Sequence, residues 1–312
     1  MDFSFSPEQE AIRDTARRFA REKLAPAYKQ REAEGSIDRE LIREMGELGL
    51  IGADLPEKAG GPGLDSVTAG IIVEEISHDD ISVGYVQLLG SLMGSIISTH
   101  ADDAVAQEIV PKICAGDAVV ALGLTEPRGG SDAAHLRLKA RTDGDGYVLS
   151  GEKTSISMAE QADYILVLAR TDETNPGAGG VSAFVMPLDT PGITRSSFDD
   201  VGSKAVGRGS VFFEDVRVPA QYMVGSKGEG FRQVMQGFDY SRAPSDTCSC
   251  LGIACRNVDL RYRAKCVRQS ACQISGRDRA AGGGGNLARG CAAALLQNAM
   301  ATRPQSTAYK RG

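Results

Sequence analysis

The chain has 312 residues, 42% of them apolar and 24% charged, with 5% aromatic and no Trp; that mixture suits a globular protein of one to three domains. Its opening, MDFSFSPEQEAIRD, lacks a basic start followed by an apolar stretch, so it does not read as a secretory signal, and no apolar run is expected to approach the roughly 20 residues of a membrane span. A cytoplasmic enzyme is the default expectation. The net charge of −6 is uneven: residues 244–312 hold 11 Lys/Arg against 3 Asp/Glu, while residues 1–243 hold 24 against 38. Cysteine divides at the same place, with Cys114 before it and Cys248, Cys250, Cys255, Cys266, Cys272 and Cys291 after it.

Ser6-Pro7-Glu8-Gln9 has the form of a helix start, with Ser6 as N-cap, Pro7 in the first turn and Gln9 closing a capping box. Ile12, Ala16, Phe19, Ala20 and Leu24 then follow helical spacing as far as Pro26. A second amphipathic stretch carries Leu41, Ile42, Met45 and Leu48 and stops at Gly49, before the turn Gly60-Gly61-Pro62-Gly63. From about Asp65 to Ala115 the pattern is again helical, with Asp80 and Asp102 placed to cap successive helices. Residues 1–117 are expected to form a helical domain.

Strand patterns follow. Val119 to Leu124 is a short apolar run, and Leu136, Leu138 and Ala140 alternate with polar residues up to Asp143-Gly144-Asp145-Gly146, a hairpin signal. Tyr164 to Leu168, Val181 to Met186 and Val211 to Val218 are further strand-like runs separated by Gly, Pro and Asp. Residues 118–222 are expected to form an antiparallel barrel or sandwich, making the fold class α+β. Helical character returns at Gly230-Phe231 through Tyr240, so residues 223–243 read as the start of a second helical domain. Beyond Ala243 no amphipathic period is sustained, Gly282 to Gly285 is a four-glycine run, and only Leu287 to Met300 resembles a helix. Residues 244–312 therefore read as an anomalous tail, of the kind a shift of reading frame produces, in place of a C-terminal helical bundle; an ordinary, poorly patterned domain is the alternative.

The chemistry concentrates in Gly123-Leu124-Thr125-Glu126-Pro127-Arg128-Gly129-Gly130-Ser131-Asp132, where an apolar strand runs into a glycine-rich turn. Glycines allow close approach of a ligand to the backbone, and the hydroxyls supply donors and acceptors. The absence of Lys followed by Ser/Thr argues against a nucleoside triphosphate loop. This segment resembles the flavin-binding signature T-E-P-x-x-G-S-D of acyl-CoA dehydrogenases. Gly151-Glu152-Lys153-Thr154-Ser155-Ile156-Ser157 resembles that family's second flavin segment, Phe213 to Pro219 the strand closing its β-domain, and Phe238-Asp239-Tyr240-Ser241-Arg242 the start of its C-terminal helices. Leu55-Pro56-Glu57 and the Gly60 turn match as well, so the resemblance spans about residues 1–243.

The resemblance implies an N-terminal helical domain, a central β-domain and an FAD cradle between the β-domain and a C-terminal bundle. Thr125 and the backbone around Leu122 and Leu124 would meet the isoalloxazine ring, flanked by Ser155, Ile156 and Ser157. Gly130 and Ser131 would contact the acyl-CoA, with Asp239 and Arg242 along the CoA moiety, where Arg suits phosphate. A plain half-exposed strand is the other reading of Ser155 and Ser157. Many relatives have Trp where this chain has Ser155, and His135 stands where a small residue is usual. The implied reaction is α,β-dehydrogenation of an acyl-CoA thioester, with electrons passed to an electron-transferring flavoprotein and a homotetramer in intact members. Gly151 to Met158 and Phe238 to Arg242 resemble the subgroup acting on alicyclic thioesters such as cyclohexanecarboxyl-CoA.

The catalytic carboxylate of such enzymes lies in the C-terminal bundle, but no Glu follows Glu229 here and the acids of residues 244–312 are Asp246, Asp259 and Asp278. No base is assigned, and the family's C-terminal Arg-Phe-Gly and Gln-Gly-Gly elements are not found. A catalytically inactive remnant, or a related oxidase or desulfinase, is therefore the alternative function. The cysteines lack paired C-x-x-C spacing and no His follows His135, so a metal site is not expected. The basic tail has only Tyr262 and Tyr309 as aromatics, which argues against nucleic acid as a partner.

Overall fold

Residues 4–238 are described by the computed structural model of the chain. Helix α1 (Pro7–Phe19) starts as its sequence dictates: Ser6 Oγ accepts the Gln9 N–H, and Gln9 Oε1 accepts the Ser6 N–H. A π-helical turn, Ala20–Leu24, continues it to the brink of Pro26. Helix α2 (Tyr28–Glu34) follows, then α3 (Arg39–Glu47), which buries Ile42 and Met45. Helices α4 (Ser66–Asp79), α5 (Ile81–His100) and α6 (Asp103–Cys114) complete the helical layer. Asp65, Asp80 and Asp102 cap them by accepting main-chain N–H groups of the first turn, which offsets the orphan donors of each helix start.

Helix α5 corrects the expectation about apolar runs. Its 20 residues contain no Asp, Glu, Lys or Arg, which makes it long and apolar enough by length and composition to cross a membrane. Gly, Gln and Ser interrupt the apolar letters without interrupting the helix. In the fold, 72% of an 18-residue stretch of this helix is buried inside the protein, with α5 packed against α4, α6 and the first strand as a core helix.

The sheet contains β1 (Val120–Gly123), β2 (Lys139–Asp143), β3 (Gly146–Ile156), β4 (Tyr164–Arg170), β5 (Val181–Pro187), β6 (Ile193–Ser197), β7 (Gly209–Pro219) and β8 (Met223–Val224). Its order is β6-β7-β3-β2-β4-β5-β8, with β1 paired to β4 beside that path. The β2–β3 hairpin turns through Gly144 and Asp145, and Gly144 takes φ +61°, which glycine adopts without steric cost. The sheet is mixed and not wholly antiparallel, because β1 runs parallel to β4 and Lys139 pairs in parallel with Arg170. A parallel pair needs a crossover, and residues 124–163 supply it. Such a pairing has no local turn to announce it.

The two layers are fastened directly. Arg39 Nη2 bonds Asp163 Oδ1 at 2.7 Å, the Ile37 N–H donates to Gln161 Oε1 at 2.7 Å, and the Lys204 N–H donates to Glu32 Oε1 at 3.0 Å. A last helix, α7, starts at residue 230 and is described to residue 238. A Cβ on Gly230 would lie 2.2 Å from the Ala183 backbone nitrogen on β5, and one on Gly237 would lie 2.8 Å from Ile96 on α5. Those glycines let α7 wedge between sheet and helices. Asp239, Arg242 and the tail 244–312 lie outside the described residues.

Candidate functional site

Where β1 leaves the sheet, its two edges differ. On the β4 side, the Val119 carbonyl accepts N–H groups of Asp163 and Tyr164 at 2.9 and 3.2 Å. Main-chain groups alternate in direction along a strand, so Ala121 and Gly123 also turn theirs towards β4. Leu122 and Leu124 turn theirs to the opposite edge, which has no strand pairing among the described residues. Their side chains are half-buried, whereas Ala121 and Gly123 are buried. The sequence-predicted Leu122 thus lies on an open stretch of strand edge, while Leu124, just past the strand, has its carbonyl taken by Lys153 Nζ at 3.1 Å.

Thr125 lies beside the end of β3, because its carbonyl accepts the Thr154 N–H at 2.9 Å. At that point β3 carries a bulge: Lys153 pairs with Val211 and Ile156 with Gly209, so one residue of β3 is extra. Ser155 is in the left-handed region at φ +55°, a conformation disfavoured for a residue with a Cβ by roughly 1–2 kcal/mol. Its side chain is exposed. Bulges and strained residues of this kind re-aim side chains and gather at functional sites. Ser155 is an exposed residue within β3 at the bulge, and Ser157 is half-buried just beyond the strand. Ile156 is only 1% exposed, so it offers the site its backbone and not its side chain.

Gly130 and Ser131 sit on an exposed loop between Glu126 and Leu136, and a Cβ on Gly130 would lie 3.6 Å from Thr125 Cγ2. The structure therefore brings Leu122, Leu124, Thr125, Gly130 and Ser155 onto one surface, with Ser131 on the adjoining loop and Ser157 following the bulge. On the same loop the His135 imidazole bonds Asp132 at 2.5 Å, facing solvent.

Two residues that the motif reading left without a role underpin this surface. Lys153, at 0% side-chain exposure, pairs with Glu126 at 10%, with Nζ to Oε1 at 2.8 Å. Lys153 also donates to the Leu124 carbonyl at 3.1 Å, while Glu126 accepts the Arg137 N–H at 2.7 Å and the Leu138 N–H at 2.9 Å. Burial alone would raise the Glu126 carboxyl, but the Lys153 charge and these N–H groups outweigh it and hold the acid below its usual range. Burial pulls the Lys153 ammonium down to about 8 against the opposing pull of Glu126. The signal was available: Lys153 falls at an inward position of β3, where an uncompensated charge is not tolerated. Arg170 braces the loop from β4, donating to the Leu136 carbonyl at 2.9 Å and the Ala134 carbonyl at 2.8 Å. No group of three or more metal-ligating side chains is gathered among the described residues.

A helical layer against a mixed sheet, with an open strand edge and a bulged serine beside a glycine-rich loop, defines a binding scaffold with its polar groups at the end of β1. Residues 6–117 match the family described as acyl-CoA dehydrogenase, N-terminal domain, and residues 121–216 the acyl-CoA dehydrogenase, middle domain. A probable acyl-CoA dehydrogenase of Bacillus subtilis, YngJ, is 34% identical over 261 residues, covering 83% of this chain and 68% of that protein. The structure of butyryl-CoA dehydrogenase from Megasphaera elsdenii superposes with a TM-score of 0.77 at 29% identity, covering 96% of this chain and 76% of the other. A chain from a structural study of the electron transferring flavoprotein of Acidaminococcus fermentans gives 0.77 at 32% identity, covering 89% and 70%. The chain belongs to the acyl-CoA dehydrogenase family, whose members are FAD-dependent oxidoreductases.

Proposed function

We propose that the surface at the end of β1 binds FAD and that the protein acts on an acyl-CoA thioester, removing hydrogen across the α,β bond. The observation carrying this reading is the bond from Thr154 N–H to the Thr125 carbonyl, which sets the bulged Ser155 beside the open edge of β1. The residues present fit the cofactor. A flat heteroaromatic ring edged with nitrogen and oxygen atoms calls for alternating donors and acceptors, and the main-chain groups of Leu122, the Leu124 N–H and the Thr125 hydroxyl are of that chemistry. Ser155, the Ile156 backbone and Ser157 would bound the ring on the β3 side. When bound, FAD supplies the acceptor for the β-hydride.

The chain's own contribution is orientation. Gly130 and Ser131 would take the thioester over Thr125, and the loop is small enough there for close approach. Asp239 and Arg242 would meet the CoA portion from beyond the described residues. The proton-accepting carboxylate is not assigned. An electron-transferring flavoprotein is the proposed electron acceptor, a homotetramer the proposed assembly, and cyclohexanecarboxyl-CoA the proposed substrate type.

The test is to purify the full chain, record its flavin absorbance, and assay thioester-dependent reduction of an artificial acceptor. Bound FAD with turnover supports the proposal, and a folded chain that neither retains nor rebinds FAD overturns it. Faster turnover of straight-chain thioesters than of the ring substrate would remove the alicyclic assignment alone. The composition of residues 244–312 favours one competing reading, a catalytically inactive remnant that does not retain flavin, and the same assay separates the two.

A further inference from the structure

The Glu126–Lys153 pair is oddly placed for a purely stabilising contact. Moving two charges into a protein interior consumes most of what their attraction returns, and an apolar pair of similar volume serves a core at least as well. What an ion pair adds is direction. Here the hydrogen bonds of both side chains fall within one small region. Glu126 begins the exposed loop, and its two oxygens hold the N–H groups of Arg137 and Leu138, where that loop returns to the sheet. Lys153 is anchored in β3 and holds both the Glu126 carboxylate and the Leu124 carbonyl at the end of β1. The neighbouring Thr154 N–H takes the Thr125 carbonyl.

One buried pair therefore joins three segments: the edge of β1, the neck of the loop bearing Gly130 and Ser131, and the bulge bearing Ser155. The residues proposed to meet FAD and those proposed to meet the thioester hang from the same two side chains. A comparable pair, Arg31–Asp80, with side chains 7% and 1% exposed at 2.7 Å, ties α2 to the start of α5, within the helical layer and away from the end of β1. It supplies an internal comparison of equal chemistry.

Building on the cofactor reading above, we propose that Glu126 and Lys153 are positioning residues for FAD: they fix the edge of β1 and the loop neck in the geometry that accepts the cofactor. Neither touches the cofactor in this arrangement, since Lys153 is enclosed and both Glu126 oxygens are occupied by protein donors.

The experiment compares full-length wild type with Glu126→Gln, Lys153→Met, the double variant, and Arg31→Met. Each apoprotein is titrated with FAD by fluorescence quenching, the absorption spectrum of the bound flavin is recorded, and folding is followed by circular dichroism and urea. The double variant leaves no lone buried charge, so it has the best prospect of folding. The expected result is a dissociation constant for FAD raised at least tenfold, with an altered bound-flavin spectrum, in every folded variant of the pair. Arg31→Met should lower the urea midpoint while leaving affinity and spectrum at wild-type values. A folded Glu126 or Lys153 variant that binds FAD within twofold of wild type, with an unchanged spectrum, overturns the proposal. So does a double variant that fails to fold while Arg31→Met folds, since the pair would then be serving the sheet itself. If wild type takes up no FAD, the cofactor reading falls first and the positioning role with it, an outcome distinct from both.

Discussion

Single residues show both how local rules were obeyed and where they stopped. Ser6, Asp80 and Asp102 cap helices as their chemistry requires, and each was legible because a cap is a contact between residues two or three apart. Lys153 and Glu126 lie 27 residues apart, so their pairing could be read only by combining strand parity with the cost of an unpaired buried charge. Asp54 presents the same problem without a cationic partner among the described residues. It accepts from Ser91 Oγ at 2.6 Å, and burial lifts its carboxyl above the ordinary value of 3.8 by more than that hydrogen bond lowers it. A raised acid favours the folded state fully below its unfolded value and loses that favour as pH rises through the folded value. Replacing Asp54 with Asn, which can still accept from Ser91, should therefore raise the urea midpoint at pH 7. The advantage should shrink as pH is lowered towards 4. An advantage that grew on acidification would contradict this account of Asp54.

At the scale of elements, the long apolar-faced helices and the strands with clear turn signals were readable, while the short or fully exposed ones were not. Helix α2 buries only Arg31 along its seven residues, so it has no apolar stripe to detect. Strand β6 is almost wholly exposed and β8 has two residues, which leaves neither with an alternation. The placement of β1 against β4 was beyond local reading because a parallel partner is chosen by the packing of the whole crossover. Helix α5 depends on Asp80 twice: its carboxylate accepts the Ser82 and Val83 N–H groups and pairs with the buried Arg31. Replacing Asp80 with Ala removes the cap and strands the guanidinium. The expected loss is about 3–5 kcal/mol by urea denaturation, most of it from the uncompensated charge. A loss of under 1 kcal/mol would mean that Arg31 finds another partner.

For the whole molecule, the described helices and sheet make one packed body in which α7 is the wedge. Gly230 is the tightest point of that wedge, since a Cβ there would meet main-chain atoms of Ser182 and Ala183, which cannot swing aside. Gly230→Ala should displace α7 from β5, lower stability by about 1–3 kcal/mol as an overpacking change, and weaken FAD retention. Gly237→Ala meets only the flexible ends of Ile96 and Leu92 and should be milder in the same thermal unfolding assay. Equal losses in both variants would show that close approach at β5 is not what seats the helix.

The extra residue in β3 has a meaning in terms of insertions and deletions. Lys153, Ile156 and Met158 face inward and Thr154, Ser155 and Ser157 do not, so removing Ser155 would leave a strand of ordinary alternation with every remaining side chain on its present face. The sheet has no use for the residue that was added. A chain one residue shorter at this point would have a straighter ladder and an undisturbed core, but it would have lost the hydroxyl that the bulge pushes outward. Length variation that is silent in most loops would here separate the ability to fold from the ability to bind.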